Sequence, residues 1–473
     1  MAKSKIIIND AFNEYQYFLL NYLLPLVGIS YDNNLIRIRK QPENTLESHG
    51  SFIRQTADGI VFSSYNEDVF FLRWKPALSK ECIGLAQNVI HAFFGVSKYW
   101  ISDKQKTIKS IKIEYKTEAI REENYKLAIQ KGVCDWCAGN VDNQSFYNLL
   151  QILEQWSVQT YEGKKVTFGF IYNPKANSSF PIDNYGTWLN FLKDDYAATL
   201  TDCIHSVIQL DKNCNFAGYL SITENNEVDA YSLSFLLPYR FARIIEKYVI
   251  GSCVGVFLLN NGDILISKNQ AVQLIKRNLK WLNLSYNTFY NMAKSNLKKC
   301  TINDDLFQQI YASVLDVSFA HTGGIIAVVP DPSRLTQQTN PVLNLCDNLL
   351  DNRSLSEIEQ ELKSTLSNGA HKELYKRLLK RKVIISLVSS RIFSELDRKL
   401  RAELISMDGA CILDCNEHIC AVGAIICNDS GSSGGGRSAA AKKLSSYGGM
   451  SVKISTDGYI ELFIDGDPVY AVK

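Results

Sequence analysis

The chain has 473 residues, 46% of them hydrophobic and 21% charged, with a formal net charge of +2. That length holds two or three domains, and the composition excludes a disordered chain. Near-balanced charge excludes a global drive toward nucleic acid or acidic membranes. Twelve cysteines are too sparse for a disulfide scaffold and predict reduced thiols in a cytoplasmic protein. In chain order, an apolar helical stretch runs from Phe12 to Leu24. Asn21 and Pro25 interrupt the run from Tyr15 to Ile29, which is shorter than the roughly 20 residues of a membrane span, so no membrane partner is expected. Ile60 to Phe62 and Val69 to Trp74 read as strands, and the charged segment from Asp103 to Lys131 reads as a connecting helix.

The next stretch is α+β in pattern. Phe146, Leu149, Leu150, Leu153 and Trp156 recur at helical spacing, and Val166, Phe168, Phe170 and Tyr172 alternate as in a half-buried strand. Val254 to Leu259 and Ile264 to Ser267 flank Asn260-Asn261-Gly262-Asp263, a hairpin whose Asn-Gly pair suits positive φ. Further on, a helix is expected from Leu306 to Phe319, broken by His321-Thr322-Gly323-Gly324, and then a buried strand from Ile325 to Val329. Helices follow from about Ser354 to Leu366 and from His371 to Ile405. Ala410 to Leu413 pairs with Ile419 to Ile426 as a hairpin. Ala439 to Tyr447 is a short helix ended by Gly448-Gly449, and Val452 to Ser455 and Tyr459 to Ile464 complete a sheet. Three regions result: 1–102, an α+β region 103–298, and an α/β region 299–473 whose mixed sheet is flanked by helices.

The chemistry-bearing residues concentrate near the end. Gly431-Ser432-Ser433-Gly434-Gly435-Gly436-Arg437-Ser438 follows a strand and opens a helix. Glycines let backbone N–H groups approach an anion, the helix N-terminus adds partial positive charge, and Arg437 offers a forked donor to phosphate. The spacing nearly matches a Walker A loop with Arg in place of Lys, but only 35 residues follow Ser438, too few for that fold. A plain Gly/Ser surface loop is the alternative. Asp408-Gly409-Ala410 lies where a helix gives way to a strand, a place for a carboxylate to bring a divalent cation to phosphate, or simply an Asp-Gly turn. Ser455-Thr456-Asp457-Gly458 forms a second polar turn.

Taken together, these motifs resemble the diadenylate cyclase (DAC, DisA-type) domain, which condenses two ATP molecules into cyclic di-AMP. Asp408-Gly409-Ala410 matches that family's Asp-Gly-Ala motif residue for residue. Gly436-Arg437-Ser438-Ala439-Ala440 stands where the family has Gly-Thr-Arg-His-Arg-Ala-Ala, lacking the His and one Arg. Ser455-Thr456-Asp457 stands in place of a Ser-Glu-Glu turn, with one acid instead of two. The resemblance covers 299–473, with a helical insertion near 345–382. It implies a DAC-like fold, Mg²⁺ or Mn²⁺ on Asp408, and nucleotide held by Gly409, Ala410, Gly435, Gly436, Arg437, Ser438, Ser455, Thr456 and Asp457. Two facing copies would each present one ATP, hence a homo-oligomer, and residues 1–298 would be a sensor region of a bacterial-type signalling protein. The altered phosphate loop leaves open a degenerate domain that binds nucleotide without turnover.

Other signals carry less. Cys134-Asp135-Trp136-Cys137 has metal or redox spacing but no second pair, so buried free thiols are expected. Cys411, Cys415, His418, Cys420 and Cys427 cluster in sequence, yet Cys420 and Cys427 have opposite strand parity. Asp194-Asp195 and Asp202 read as a solvated helix start, and His91 and His321 as structural. Residues 371–401 carry ten basic side chains against three acidic ones, which reads as a solvated helix face or a nucleic-acid patch.

Overall fold

The Asn-Gly pair does close the expected hairpin: Val254–Leu258 pairs with Ile264–Lys268, Val256 opposite Ile266, and Gly262 has φ +89°. The computed structural model describes residues 6–8, 11–29, 35–40, 52–64, 68–74, 76–96, 113–115, 118–139, 143–158, 160–161, 164–165, 168–172, 188–191, 207–210, 216–220, 249, 251, 253–259, 261–337, 341–350, 353–365, 371–388, 391–427 and 435–472. Asp194, Asp195 and Asp202 lie outside them, as do Gly431 to Gly434. The protein is mixed α/β with several sheets, in two units: Met1–Leu236 with Arg240–Asn291, and Leu237–Tyr239 with Met292–Lys473. Among the described residues no helix is long and apolar enough to cross a membrane.

The first unit holds a four-stranded antiparallel sheet of Leu35–Lys40, Asp68–Arg73, Gly59–Ser63 and Ile53–Gln55, in that order. Its eight-stranded sheet has Phe168–Tyr172 and Val254–Leu258 at the centre. The helix at the start of the chain forms as expected but passes through a π turn at Leu19–Leu23 before ending at Leu26. The segment expected as one connecting helix splits. Ile113–Tyr115 is a strand paired with Ile6–Ile8, and the helix runs instead over Glu118–Ala138. Alternating Ile113 and Tyr115 favour a pleat over a helical turn. On that helix Arg121 donates to buried Glu14 at 2.8 and 3.1 Å, and the Tyr125 hydroxyl donates to the same carboxylate. Burial alone would lower the Arg121 pKa, and the bonds to Glu14 and Tyr125 more than reverse that. Cys134 and Cys137 are free and buried, and burial pushes the Cys137 thiol up to about 12, as suits inert core thiols.

The second unit is built from α1 (Asp304–Ala320), β1 (Gly324–Val328), α2 (Leu355–Thr365), α3 (His371–Val388), α4 (Arg398–Ser406), β2 (Ala410–Leu413), β3 (Ile419–Ala424), α5 (Gly435–Ser445), β4 (Met450–Ile454), β5 (Ile460–Ile464) and β6 (Asp467–Val472). Asn303 caps α1, its side chain accepting from the Leu306 N–H at 2.6 Å, and Asp304 and Asp305 complement the helix dipole. His321 ends the helix at φ 54°, which gives it the structural role expected. The sheet order is β3-β2-β1-β4-β5-β6, with β1 and β2 parallel and every other neighbouring pair antiparallel. Ile325, Ala327, Ala410 and Ile412 pack with Ala440, Ala441 and Leu444 of α5 on one face. By strand alternation Ile326 and Val328 face the other side, where α4 and α1 lie against β1 and β4.

Several expectations change here. The helix read from His371 to Ile405 is two helices. Ile392 and Leu396 are extended, and Asp397 caps α4 by accepting from the Lys399 N–H at 2.8 Å. The ten basic residues therefore do not share one helix face. α5 starts at Gly435, four residues earlier than expected, so Gly435 and Gly436 form its first turn. β6 is added at the sheet edge, where Pro468 is tolerated. Reduced thiols throughout do not hold either: Cys300 and Cys415 form a disulfide, joining the segment before α1 to the β2–β3 turn.

An ion pair between half-buried Arg398 and buried Asp316 fastens α4 to α1. Arg398 grips Asp316 with both carboxylate oxygens, at 2.6 and 3.0 Å, and Asp316 is 1% exposed. Burial pushes the Asp316 carboxyl up to about 6, against the pull of Arg398. Removing one partner of such a pair strands the other. Asp316→Ala should cost about 3 kcal/mol, read as a lower midpoint in urea, and a wild-type midpoint in that variant would show the pair to be idle.

Candidate functional site

The strand directions gather the predicted residues. Because β1 and β2 run parallel while β4 runs antiparallel to β1, three turns fall at one end of the sheet: Thr322-Gly323 before β1, Met407-Asp408-Gly409 before β2, and Ser455 to Gly458 after β4. β3 ends there too, Ala424 paired with Ala410. Ile326 is in register with Cys411, so the turns that precede β1 and β2 lie at the same sheet end, where the Thr322 and Ser406 hydroxyls bond at 2.7 Å.

α5 brings Arg437 to the same place. A guanidinium nitrogen of Arg437 lies 2.7 Å from where a Cβ on Gly323 would stand, and the Thr456 N–H nitrogen lies 3.1 Å from that point. Gly323, at φ +71°, thus leaves the space that Arg437 and the Ser455–Gly458 turn share. A side chain there would push on both. Gly409 is still more constrained. It has φ +110°, and a Cβ on it would stand 2.3 Å from the Gly423 carbonyl carbon. Among the described residues, nothing lies within 4 Å of the Cβ positions of Gly435, at φ +82°, and Gly436.

Exposure divides these residues. Asp408, Gly435, Gly436, Thr456 and Asp457 are exposed, Gly409, Arg437, Ser438 and Ser455 are half-buried, and Ala410 is buried in the sheet core. The Ser455 hydroxyl accepts from the Tyr459 N–H at 3.0 Å, and the Ser455 carbonyl from the Gly458 N–H at 2.9 Å, which shapes the turn. The Ser438 hydroxyl accepts from Lys453 Nζ at 2.7 Å, and the same ammonium reaches Glu461 at 2.6 Å. Among the described residues, no three His, Cys, Asp or Glu side chains are grouped to hold a metal. A cation here would rest on Asp408 and on oxygens of its ligand.

Two lysines of this neighbourhood escape a reading of motifs. Lys453 has a signal, as the one charged residue in the otherwise inward-facing Met450–Ile454 strand. Lys380 has none, being one basic residue among many. From α3 it donates to the Gly423 carbonyl and lies 3.8 Å from the buried Asp347. Its ammonium is 2.8 Å from the Cβ position of Gly423, and the Asp408 carbonyl oxygen is 3.0 Å from that same position. Burial raises the Asp347 carboxyl pKa, with Lys380 pulling it back down.

The arrangement suits an anion bearing several oxygens. A helix N-terminus, a guanidinium and an ammonium-bound hydroxyl are available there, and the turn before β2 carries an exposed carboxylate at the same sheet end. No family model, curated protein or solved structure matches the chain.

The packing of Gly409 yields a test independent of any ligand. Gly409→Val combines a positive φ with a clash on the Gly423 backbone and should destabilise by at least about 2 kcal/mol. A variant melting at the wild-type temperature would show that this turn yields freely.

Proposed function

We propose that the C-terminal unit binds ATP at this sheet end as a DAC-like domain and condenses two ATP into cyclic di-AMP, releasing pyrophosphate, with the N-terminal unit as its sensor. One observation carries the reading: Arg437 and the Thr456 turn meet around Gly323, at the end of the sheet where the Asp408 turn leads into β2. In this reading Arg437 forks onto phosphate oxygens, the α5 N-terminus and Ser438 accept the remaining negative charge, and Gly435 and Gly436 let the ligand approach backbone. Gly409 borders the site beside Asp408, Ala410 lies in the sheet core and supports that turn without meeting ligand, and Asp457 faces the ligand from its turn.

An exposed carboxylate fits Mg²⁺ or Mn²⁺, since such ions commonly take one or two protein carboxylates and fill the rest of their shell with phosphate and water. Bound there, the ion would supply charge neutralisation at the α-phosphate. The 3′-hydroxyl that attacks must come from the second ATP, so two copies of the domain would face each other, each orienting one nucleotide.

A second reading, a domain that binds nucleotide without turnover, is favoured by the engagement of its polar groups. Lys453 already holds Ser438 and Glu461, and Arg437 already lies against the Thr456 turn. Mass spectrometry of products after incubation with ATP and Mn²⁺ separates the two. The cyclase reading expects cyclic di-AMP from the wild type and none from Asp408→Ala. ATP binding by calorimetry without product would leave the sensor. Arg437→Ala should weaken ATP binding roughly tenfold to a hundredfold, and unchanged affinity would remove Arg437 from the site.

A further inference from the structure

α3 turns an unusual face outward. Its inner side is settled: Leu374 and Leu378 pack with Cys346 and Ile358 in a small core, and Ile384 and Val388 are buried. The outer side carries Tyr375 (62% exposed), Leu379 (45%), Val383 (56%) and Leu387 (43%), each four residues after the last. Steps of four place neighbours on adjoining turns, so these side chains form one slowly winding stripe. Lys372, Lys376 and Lys382 are exposed on the same side, and Glu373 pairs with Lys376 at 3.0 Å.

We propose that this face of α3 docks on the surface of an anionic phospholipid bilayer, with the helix lying in the plane of the headgroups. An apolar stripe flanked by lysines is the chemistry that such a surface takes up: the alkyl and aromatic groups enter the acyl boundary, while lysine stems bury and their ammonium groups reach the phosphates. The alternatives fit less well. Protein interface cores are depleted in lysine, whereas three lysines are interleaved with this stripe. A second copy meeting the same face by two-fold symmetry would set lysines against lysines. Nucleic acid would answer the charge and leave Leu379, Val383 and Leu387 in water. That no described helix is long and apolar enough to cross a membrane does not bear on a helix that lies on the surface. This proposal does not rest on the nucleotide reading.

The test is co-sedimentation of the full chain with vesicles of phosphatidylcholine and phosphatidylserine, and with phosphatidylcholine alone. Binding is expected only with phosphatidylserine and should fall as salt rises. Neutralising Lys372, Lys376 and Lys382 to Gln should weaken it roughly fivefold per lysine and about a hundredfold together. Leu379→Gln with Val383→Gln should weaken it as well, with far-UV circular dichroism unchanged. No binding to phosphatidylserine vesicles, equal binding to phosphatidylcholine, or full binding by the lysine variant would each overturn the proposal. Lipid-free dimerisation abolished by the Leu379 and Val383 changes would also overturn it and give the face to a second copy.

Discussion

Backbone meets backbone at Gly409 and Gly423, and the geometry of the sheet end follows from that approach. β2 and β3 can close upon one another there because neither residue has a Cβ to hold them apart. The turn that carries Asp408 is thereby fixed against the end of β3, while the parallel register of β2 with β1 sets it at the same sheet end as Gly323. Arg437 and Thr456 then arrive from α5 and from the end of β4, elements whose positions are set by the same strands. Four stretches of chain spread over more than a hundred residues are brought to one sheet end by strand pairing.

Much of this is legible in the sequence, for reasons that differ by element. Hairpins such as Val254 to Lys268 are plain because an Asn-Gly pair leaves the chain few choices. β1 is plain as an apolar run stopped by Pro330. The motif residues are legible because glycine beside a carboxylate or an arginine is a local pattern. What is not legible depends on long-range packing. Nothing in a basic run tells that Ile392 and Leu396 become extended and split α3 from α4, since Asp397 also suits a helix surface. β6 hides because Asp467-Pro468 reads as an ending, and only the edge of an existing sheet makes a strand of it. Lys380 reaches Gly423 across a sequence distance of 43 residues, with no local mark of that partnership.

The electrostatic design of the second unit separates two kinds of charge. Asp316 with Arg398 sits between helices, where pairing offsets part of the cost of burying the carboxylate. At the sheet end, Asp408 and Asp457 are exposed, Arg437 is half-buried, and Lys453 is half-buried and already hydrogen-bonded. A ligand arriving there would meet donors held in place, so less side-chain freedom is lost on binding. The same preorganisation has a cost in reach: Lys453 cannot serve a phosphate fully while Ser438 and Glu461 hold it.

Lys380 belongs to two places at once. Its Cα is part of α3, whose outer face is basic and apolar, and its ammonium rests on the strand that abuts Gly409. Any displacement of α3 must either carry that ammonium with it or break its bond to the Gly423 carbonyl. Occupancy of the helix and occupancy of the sheet end would then share a free energy, and by thermodynamic reciprocity each would change the other's affinity by the same factor. One methylene chain is the hinge on which such a two-way exchange would turn.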